Sequence, residues 1–179
     1  MKLWNVPKQN DGFTLIEILV VTVILGVAGA VAVPNVLGQI NKSRINDGVA
    51  QIEGAFREAQ RQATSRRQPC TIAIVNAGGN VVVQNQVGSC LLETRQLPDG
   101  VTVDFNTTNN PVTPLPIQFS GKGNIGNTNT YVPANTGNWI ITVSHDDVSG
   151  NDKCVRIEGL FGDIQTGVDQ GGVCTTNLN

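Results

Sequence analysis

From Phe13 to Val33 the chain is almost uninterruptedly apolar, 21 residues that as a helix rise about 31 Å, close to the hydrocarbon thickness of a bilayer. One such span is long enough to cross a membrane once, so the rest of the chain divides into a part before it and a part after it. Its only formal charge is Glu17, near the start. A carboxylate in a lipid-spanning helix costs ~2.5–3.5 kcal/mol at the centre and less near an end, and a residue retained at that cost usually has a function. Residues 1–12 carry Lys2, Lys8, Asp11 and Pro7 and hold no apolar run, which reads as a leader peptide. An ordinary secretory signal places its apolar region before a small-residue cleavage site; here the candidate junction, Gly12-Phe13, comes first, so cutting there leaves the apolar helix in the mature protein.

Beyond the span, Val36, Leu37, Ile40, Ile45, Val49, Ile52, Ala55, Phe56, Ala59 and Ala63 recur at three- and four-residue steps, the spacing of an amphipathic helix. Gly48 and Gly54 weaken that helix by about 1 kcal/mol each relative to Ala, so packing on the rest of the chain must sustain it. It is expected to end near Ser65, because Pro69 pushes Gln68 out of helical geometry.

Residues 70–179 change character. They are rich in Asn, Gly, Thr and Val, and hold 4 Lys/Arg against 9 Asp/Glu where residues 1–69 hold 8 against 5. The net charge of -2 argues against nucleic acid or an acidic membrane surface as the dominant partner. Short β-prone runs are expected at 71–75, 81–84, 91–97, 101–105, 117–119, 139–144, 155–158 and 163–167. Gly78-Gly79, Pro98-Asp99-Gly100 and Gly150-Asn151 are expected as turns, with loops at 111–116 and 121–138. The fold class is therefore α+β: a long N-terminal helix, membrane-spanning over 13–34 and amphipathic over 35–67, packed on an antiparallel β-rich head, 68–179. Cys70, Cys90, Cys154 and Cys174 all follow the apolar span and are even in number, as for an oxidising compartment. Three connectivities are open. Pairing in order, Cys70 with Cys90 and Cys154 with Cys174, is the expected one; four free thiols and a zinc site are the alternatives, and no pair has the C-x2–4-C spacing of zinc sites.

The run Gly12-Phe13-Thr14-Leu15-Ile16-Glu17, followed by apolar sequence to Pro34, resembles the processing signature of type IV pilins and type II secretion pseudopilins. The resemblance implies cleavage between Gly12 and Phe13 by a membrane aspartyl prepilin peptidase, which a glycine lets approach the scissile carbonyl closely. It implies N-methylation of Phe13 by the same enzyme, and a Glu17 that faces the N-terminal amine of a neighbouring subunit in a filament core. Pro34 is then expected to kink the helix or let it melt as the subunit leaves the bilayer, with Gly26 and Gly29 loosening the same stretch. The partners implied are other pilin or pseudopilin subunits, the peptidase, an inner-membrane assembly platform and, before assembly, the lipid bilayer. The implied location is a single pass in the inner membrane with a periplasmic head, then a pilus or pseudopilus. Lys2 and Lys8 against Lys42 and Arg44 are a weak positive-inside signal, so the cytoplasmic leader rests on the resemblance. The alternative is a plain signal anchor with an incidental Glu and Pro.

The head resembles, more loosely, the GspH/FimT-like branch of minor pilins and pseudopilins. The marks are Phe56-Arg57-Glu58-Ala59 leading into Thr71-Ile72-Ala73-Ile74, then Phe119-Ser120-Gly121-Lys122-Gly123, and Cys154-Val155-Arg156-Ile157 with Gly159. Some members of that branch bind DNA through a basic motif beginning with glycine; the corresponding Gly162-Asp163-Ile164-Gln165 has no arginine. Arg57, Arg61, Arg66 and Arg67 form a basic cluster that reads either as a nucleic-acid contact or as a solvated face with Glu53 and Glu58, and no aromatic interleaves to stack on bases. No catalytic constellation accompanies the single histidine, His145, and no P-loop or dinucleotide fingerprint is present. Asp146, Asp147, Asn151 and Asp152 gather oxygen ligands, as calcium would need, without the spacing of an EF-hand loop. No metal, cofactor or enzymatic activity is expected. The reading is a minor type IV pilin-like subunit that acts by assembly, with a pseudopilin driving protein export and a DNA-binding pilin as alternatives.

Overall fold

The computed structural model describes residues 12–77, 79–105, 114–125, 138–158 and 162–176, without the side chains of 31–35, 115 and 138. A single helix, α1, runs Leu15–Arg66, unbroken in backbone through position 34. The expected kink at Pro34 concerns a residue whose side chain lies outside the described residues. The chain divides into two units, residues 1–37 and 38–179, with α1 contributing to both.

Among the described residues of the second unit, α1 is followed by nine strands: β1 (Cys70–Ala77), β2 (Asn80–Val87), β3 (Arg95–Gln96), β4 (Val101–Phe105), β5 (Leu115–Phe119), β6 (Asn138–His145), β7 (Val148–Glu158), β8 (Asp163–Asp169) and β9 (Cys174–Thr175). They form a four-stranded sheet, β3-β2-β1-β5, and a five-stranded sheet, β4-β6-β7-β8-β9. All the strand pairs are antiparallel. Of the apolar positions read as one helical stripe, Ile45, Val49, Ile52, Ala55, Phe56, Ala59 and Ala63 are buried with Ile72, Ile74 and Val83 of the first sheet and Ile141, Val143, Val155 and Ile157 of the second, whereas Val36, Leu37 and Ile40 are exposed. Phe56 meets Phe119 in a tilted pair with ring centroids 6.4 Å apart. Burial of this stripe, worth roughly 1.5–3 kcal/mol per large side chain, is what sustains a helix containing two glycines.

Gly48 has a packing role. A Cβ there would lie 3.2 Å from Val101 Cγ1 and 3.3 Å from Val143 Cγ1, so the missing side chain lets the helix approach the five-stranded sheet closely. At its other end α1 closes in a Schellman arrangement. Gln68 N–H donates to Ala63 O (3.2 Å), Arg67 N–H donates to Thr64 O (3.3 Å), and Arg67 takes the left-handed conformation (φ 53°) usually given to glycine.

Several expectations need correction. The run 91–97 contributes only Arg95–Gln96 as strand. Its first half is tied to side chains instead of a ladder: Asn85 accepts from Cys90 N (2.9 Å) and Leu91 N (2.7 Å) and donates to Leu91 O (2.9 Å), while Glu58 accepts from Leu92 N (2.9 Å). Gly150-Asn151 is no turn. The β6–β7 turn falls at Asp146–Asp147, and Gly150 (φ 75°) sits within β7, where the pairing register shifts between Val143 and His145. Of the expected loop 111–116, residues 111–113 lie outside the described residues, and Pro116 pairs opposite Ala73 in β5, an edge strand that tolerates proline. Of 121–138, residues 126–137 lie outside the described residues; the turn 121–124 leads to a bridge between Phe119 and Ile125. The two-residue β9 was not foreseen.

The structure pairs Cys70 with Cys90 and Cys154 with Cys174, the Cα atoms 5.6 Å and 5.8 Å apart, and no cysteine is free. The first bridge anchors the loop after β2 to the start of β1; the second ties β9 to β7.

Candidate functional site

The amino-terminal signature folds as a helix start. Gly12, Phe13 and Thr14 precede α1 in irregular backbone, with Phe13 79% exposed, so the peptide between Gly12 and Phe13 lies outside the helix. Thr14 caps the helix: its Oγ1 accepts from Glu17 N (3.3 Å), and its carbonyl accepts from Glu17 N (3.1 Å) and Ile18 N (3.3 Å). Glu17 is thus the third helical residue in a Thr-x-x-Glu capping pattern, and its carboxylate lies at the positive end of the helix dipole. Sequence reasoning missed this local role, although the spacing of Thr14 and Glu17 carries it.

From Leu15 to Val27 the large apolar side chains are exposed around the whole helix, from Leu15 at 84% to Val20 at 46%. A helix apolar on every side needs lipid or protein around it. Added Cβ atoms at Gly26 and Gly29 would meet nothing within 4 Å, so no contact among the described residues explains these glycines. Among the described residues no helix is long and apolar enough to cross a membrane, and the apolar run continues into 31–35, whose side chains are outside that set.

The four arginines do not make one surface. Arg57 pairs with Glu53 at 2.7 Å and donates to Ile164 O at 3.3 Å, which commits it to holding β8 on the helix. Arg61 borders a groove of about 450 Å³ lined also by Glu58, Gln62, Ser65, Leu92 and Arg95. Arg66 is nine residues from Arg57, half a turn out of phase, and lies with Arg67 at the exposed end of α1. Glu58 is the buried acid of the groove: it pairs with Arg95 at 2.7 Å while Arg95 also donates to Gln51 Oε1 at 3.3 Å. Burial pushes the Glu58 carboxyl up, but the Leu92 N–H, Arg95 and Arg61 together outweigh burial and hold it below its ordinary value.

His145 is buried, its Nδ1 accepting from Asp147 N (3.2 Å), and its Nε2 lies against Gly100 without a hydrogen-bond partner among the described residues. Asp146 and Asp147 form the tight turn while Asn151 and Asp152 sit in β7. Among the described residues no three His, Cys, Asp or Glu converge as a metal site. Gly162 lies at the turn into β8, and Asp163 accepts from Gln165 Nε2 at 2.7 Å, so that turn presents an acid.

Residues 7–33 match the prokaryotic N-terminal methylation motif. The type II secretion system core protein G of Pseudomonas aeruginosa is 47% identical over 38 residues, 21% of this chain and 27% of that protein, so the match spans about a quarter of the relative's length. The crystal structures of the type IV minor pilin FimU of P. aeruginosa in two space groups, P21 and P65, superpose with TM-score 0.50. They share 10% and 11% identity, covering 74% and 72% of this chain and 93% and 99% of theirs. The chain thus carries a methylation-type junction that opens directly into the long helix of a fold like that of a type IV minor pilin.

Proposed function

We propose that the chain is a minor type IV pilin-like subunit, cut after Gly12, N-methylated on Phe13 and assembled into a filament through its apolar helix. The observation that carries this reading is the junction itself: an exposed, non-helical Gly12-Phe13 peptide immediately before a capped helix that is apolar on all sides. Before assembly the helix holds the subunit in the inner membrane with its head in the periplasm; prepilin peptidase and an inner-membrane platform are its processing and assembly partners. Glu17 and Pro34 act in assembly. The minor role is supported by the likeness of the fold to that of a minor pilin.

A second reading, a pseudopilin driving protein export, is favoured by the relative that is 47% identical over 38 residues, a core protein of type II secretion. Nucleic-acid contact through Arg57, Arg61, Arg66 and Arg67 has less support, because Arg57 is engaged within the head. Mass spectrometry of the exported chain tests the main reading: a mature terminus at N-methyl-Phe13 and recovery in sheared surface fibres are expected. A terminus at Met1 with no association with any polymer would refute it, and processed chain that is absent from surface fibres but needed for enzyme export would favour the second reading.

A further inference from the structure

Within residues 38–179 four exposed acids gather at one end of the head and three exposed cations at the other, where exposed Asp163 follows Gly162, which packs on Gly123. Contacts along α1 give the levels: Gly48 lies against Val101 and Val143, Arg57 against Ile164, Gln60 against Gly123 and Gly162, and Arg67 against Gly121. Asp99 precedes Val101 in the turn into β4, and Asp146 and Asp147 follow β6 past Val143, in the turn beside the pair Val101–His145. These three exposed acids, with Asp47 on the helix, therefore form the end nearest the start of the docked helix. Lys42, which is exposed, lies toward the same end with Arg44, which hydrogen-bonds Asn41, and Lys153, half-buried in β7. At the other end Arg66, Arg67 and Lys122 are exposed together, since the Gly121-Lys122 turn packs on the backbone of Arg67. Among the described residues none of these three makes an ion pair. From Asp47 to Arg66 the helix rises about 28 Å, several Debye lengths at physiological salt, so the two ends do not neutralise each other within one molecule.

We propose that the basic end formed by Arg66, Arg67 and Lys122 receives the acidic end formed by Asp99, Asp146 and Asp147 of a second copy of this chain. The inference rests on the filament-subunit reading above and adds to it the head surfaces that meet. Both signs are on one molecule at opposite ends, so the contact is head-to-tail. Such a contact leaves a free end of each sign and propagates as an open polymer instead of closing as a symmetric dimer. Complementary charge fixes which ends meet and in what orientation. A nucleic acid would be drawn to the same basic end, but the large apolar side chains exposed on the head among the described residues, Val87, Leu92 and Val173, include no aromatic to stack on bases.

The test uses the full chain, with a photo-crosslinking amino acid at Lys122, in cells or fibres, and mass spectrometry of the adducts. Crosslinks to residues 99–101 or 146–148 of a second copy are expected. The double change Arg66→Glu with Arg67→Glu should lower their yield about tenfold, the worth of roughly three exposed pairs, and co-expression with an Asp146→Lys, Asp147→Lys copy should restore it. Crosslinks that fall elsewhere, a yield indifferent to charge reversal, or adducts to a duplex oligonucleotide in place of a second copy would each overturn the proposal. Incorporation into fibres is scored in the same samples: chain present in fibres without these crosslinks refutes this contact alone, and unprocessed chain absent from any polymer refutes the subunit reading with it.

Discussion

Glu58 illustrates how a residue can carry both structure and pH dependence. It sits 9% exposed, with Leu92 N–H on one oxygen and the Arg95 guanidinium on the other, so it fastens the loop after β2 to α1. Its folded pKa lies below the ordinary 4.5, so ionised Glu58 adds stability above the unfolded value, and that contribution is lost as pH falls through the depressed folded value. Glu58→Gln should cost ~1–3 kcal/mol at neutral pH, because Arg95 loses its charged partner, and should flatten the fall in melting temperature below about pH 4.5. Melts of the two proteins that descend in parallel through that range would count against the assignment. Glu17 separates two accounts. A capping role is preserved by Gln and lost in Ala, whereas pairing with a neighbour's amine is lost in both. Fibre incorporation is therefore expected to fall in Glu17→Gln as well as Glu17→Ala; normal incorporation of the Gln variant would leave Glu17 as a cap alone. The acid at this spacing was legible in the sequence, but the left-handed Arg67 was not, because nothing marks an arginine for a position that glycine normally fills.

At the scale of elements, the periodic features were readable and the ones depending on partners were not. The helical stripe from Ile45 to Ala63 and the strand Val101–Phe105 follow from local pattern, since each alternation or step maps onto one buried face. The run 91–97 misled because its apolar residues are buried without a ladder, and β9 escaped because a two-residue strand has no period; the Cys154–Cys174 bridge and the pairing with β8 hold it. Gly48 misled in another way. It read as a weakness of the helix, yet it is where the helix closes on Val101 and Val143. Gly48→Leu should therefore destabilise the head by ~1–3 kcal/mol through overpacking, despite a helix-propensity gain near 1 kcal/mol. Denaturant melts would decide between these terms, and an increase in stability would show that the sheet can yield at that point.

At the scale of the molecule, the division near residue 38 has a physical basis. All the buried apolar residues of the core cluster lie between Ile45 and Ile164, and both disulfides lie within residues 70–174, so the second unit carries its own core and its own cross-links. The first unit, where described, buries almost nothing in the chain and depends on surroundings that an isolated monomer lacks. A fragment beginning at Gly38 should thus be soluble without detergent and melt cooperatively, while the full chain requires detergent or lipid. Each bridge closes a 20-residue separation, for which loss of chain entropy in the unfolded state predicts ~3 kcal/mol. Reduction should lower the fragment's melting temperature well beyond the effect of any one surface change, and do so in two steps if the bridges differ in accessibility. A fragment without near-ultraviolet ellipticity or a cooperative transition would mean that the helix before Gly38 contributes to the head's stability, and the two units would then be one.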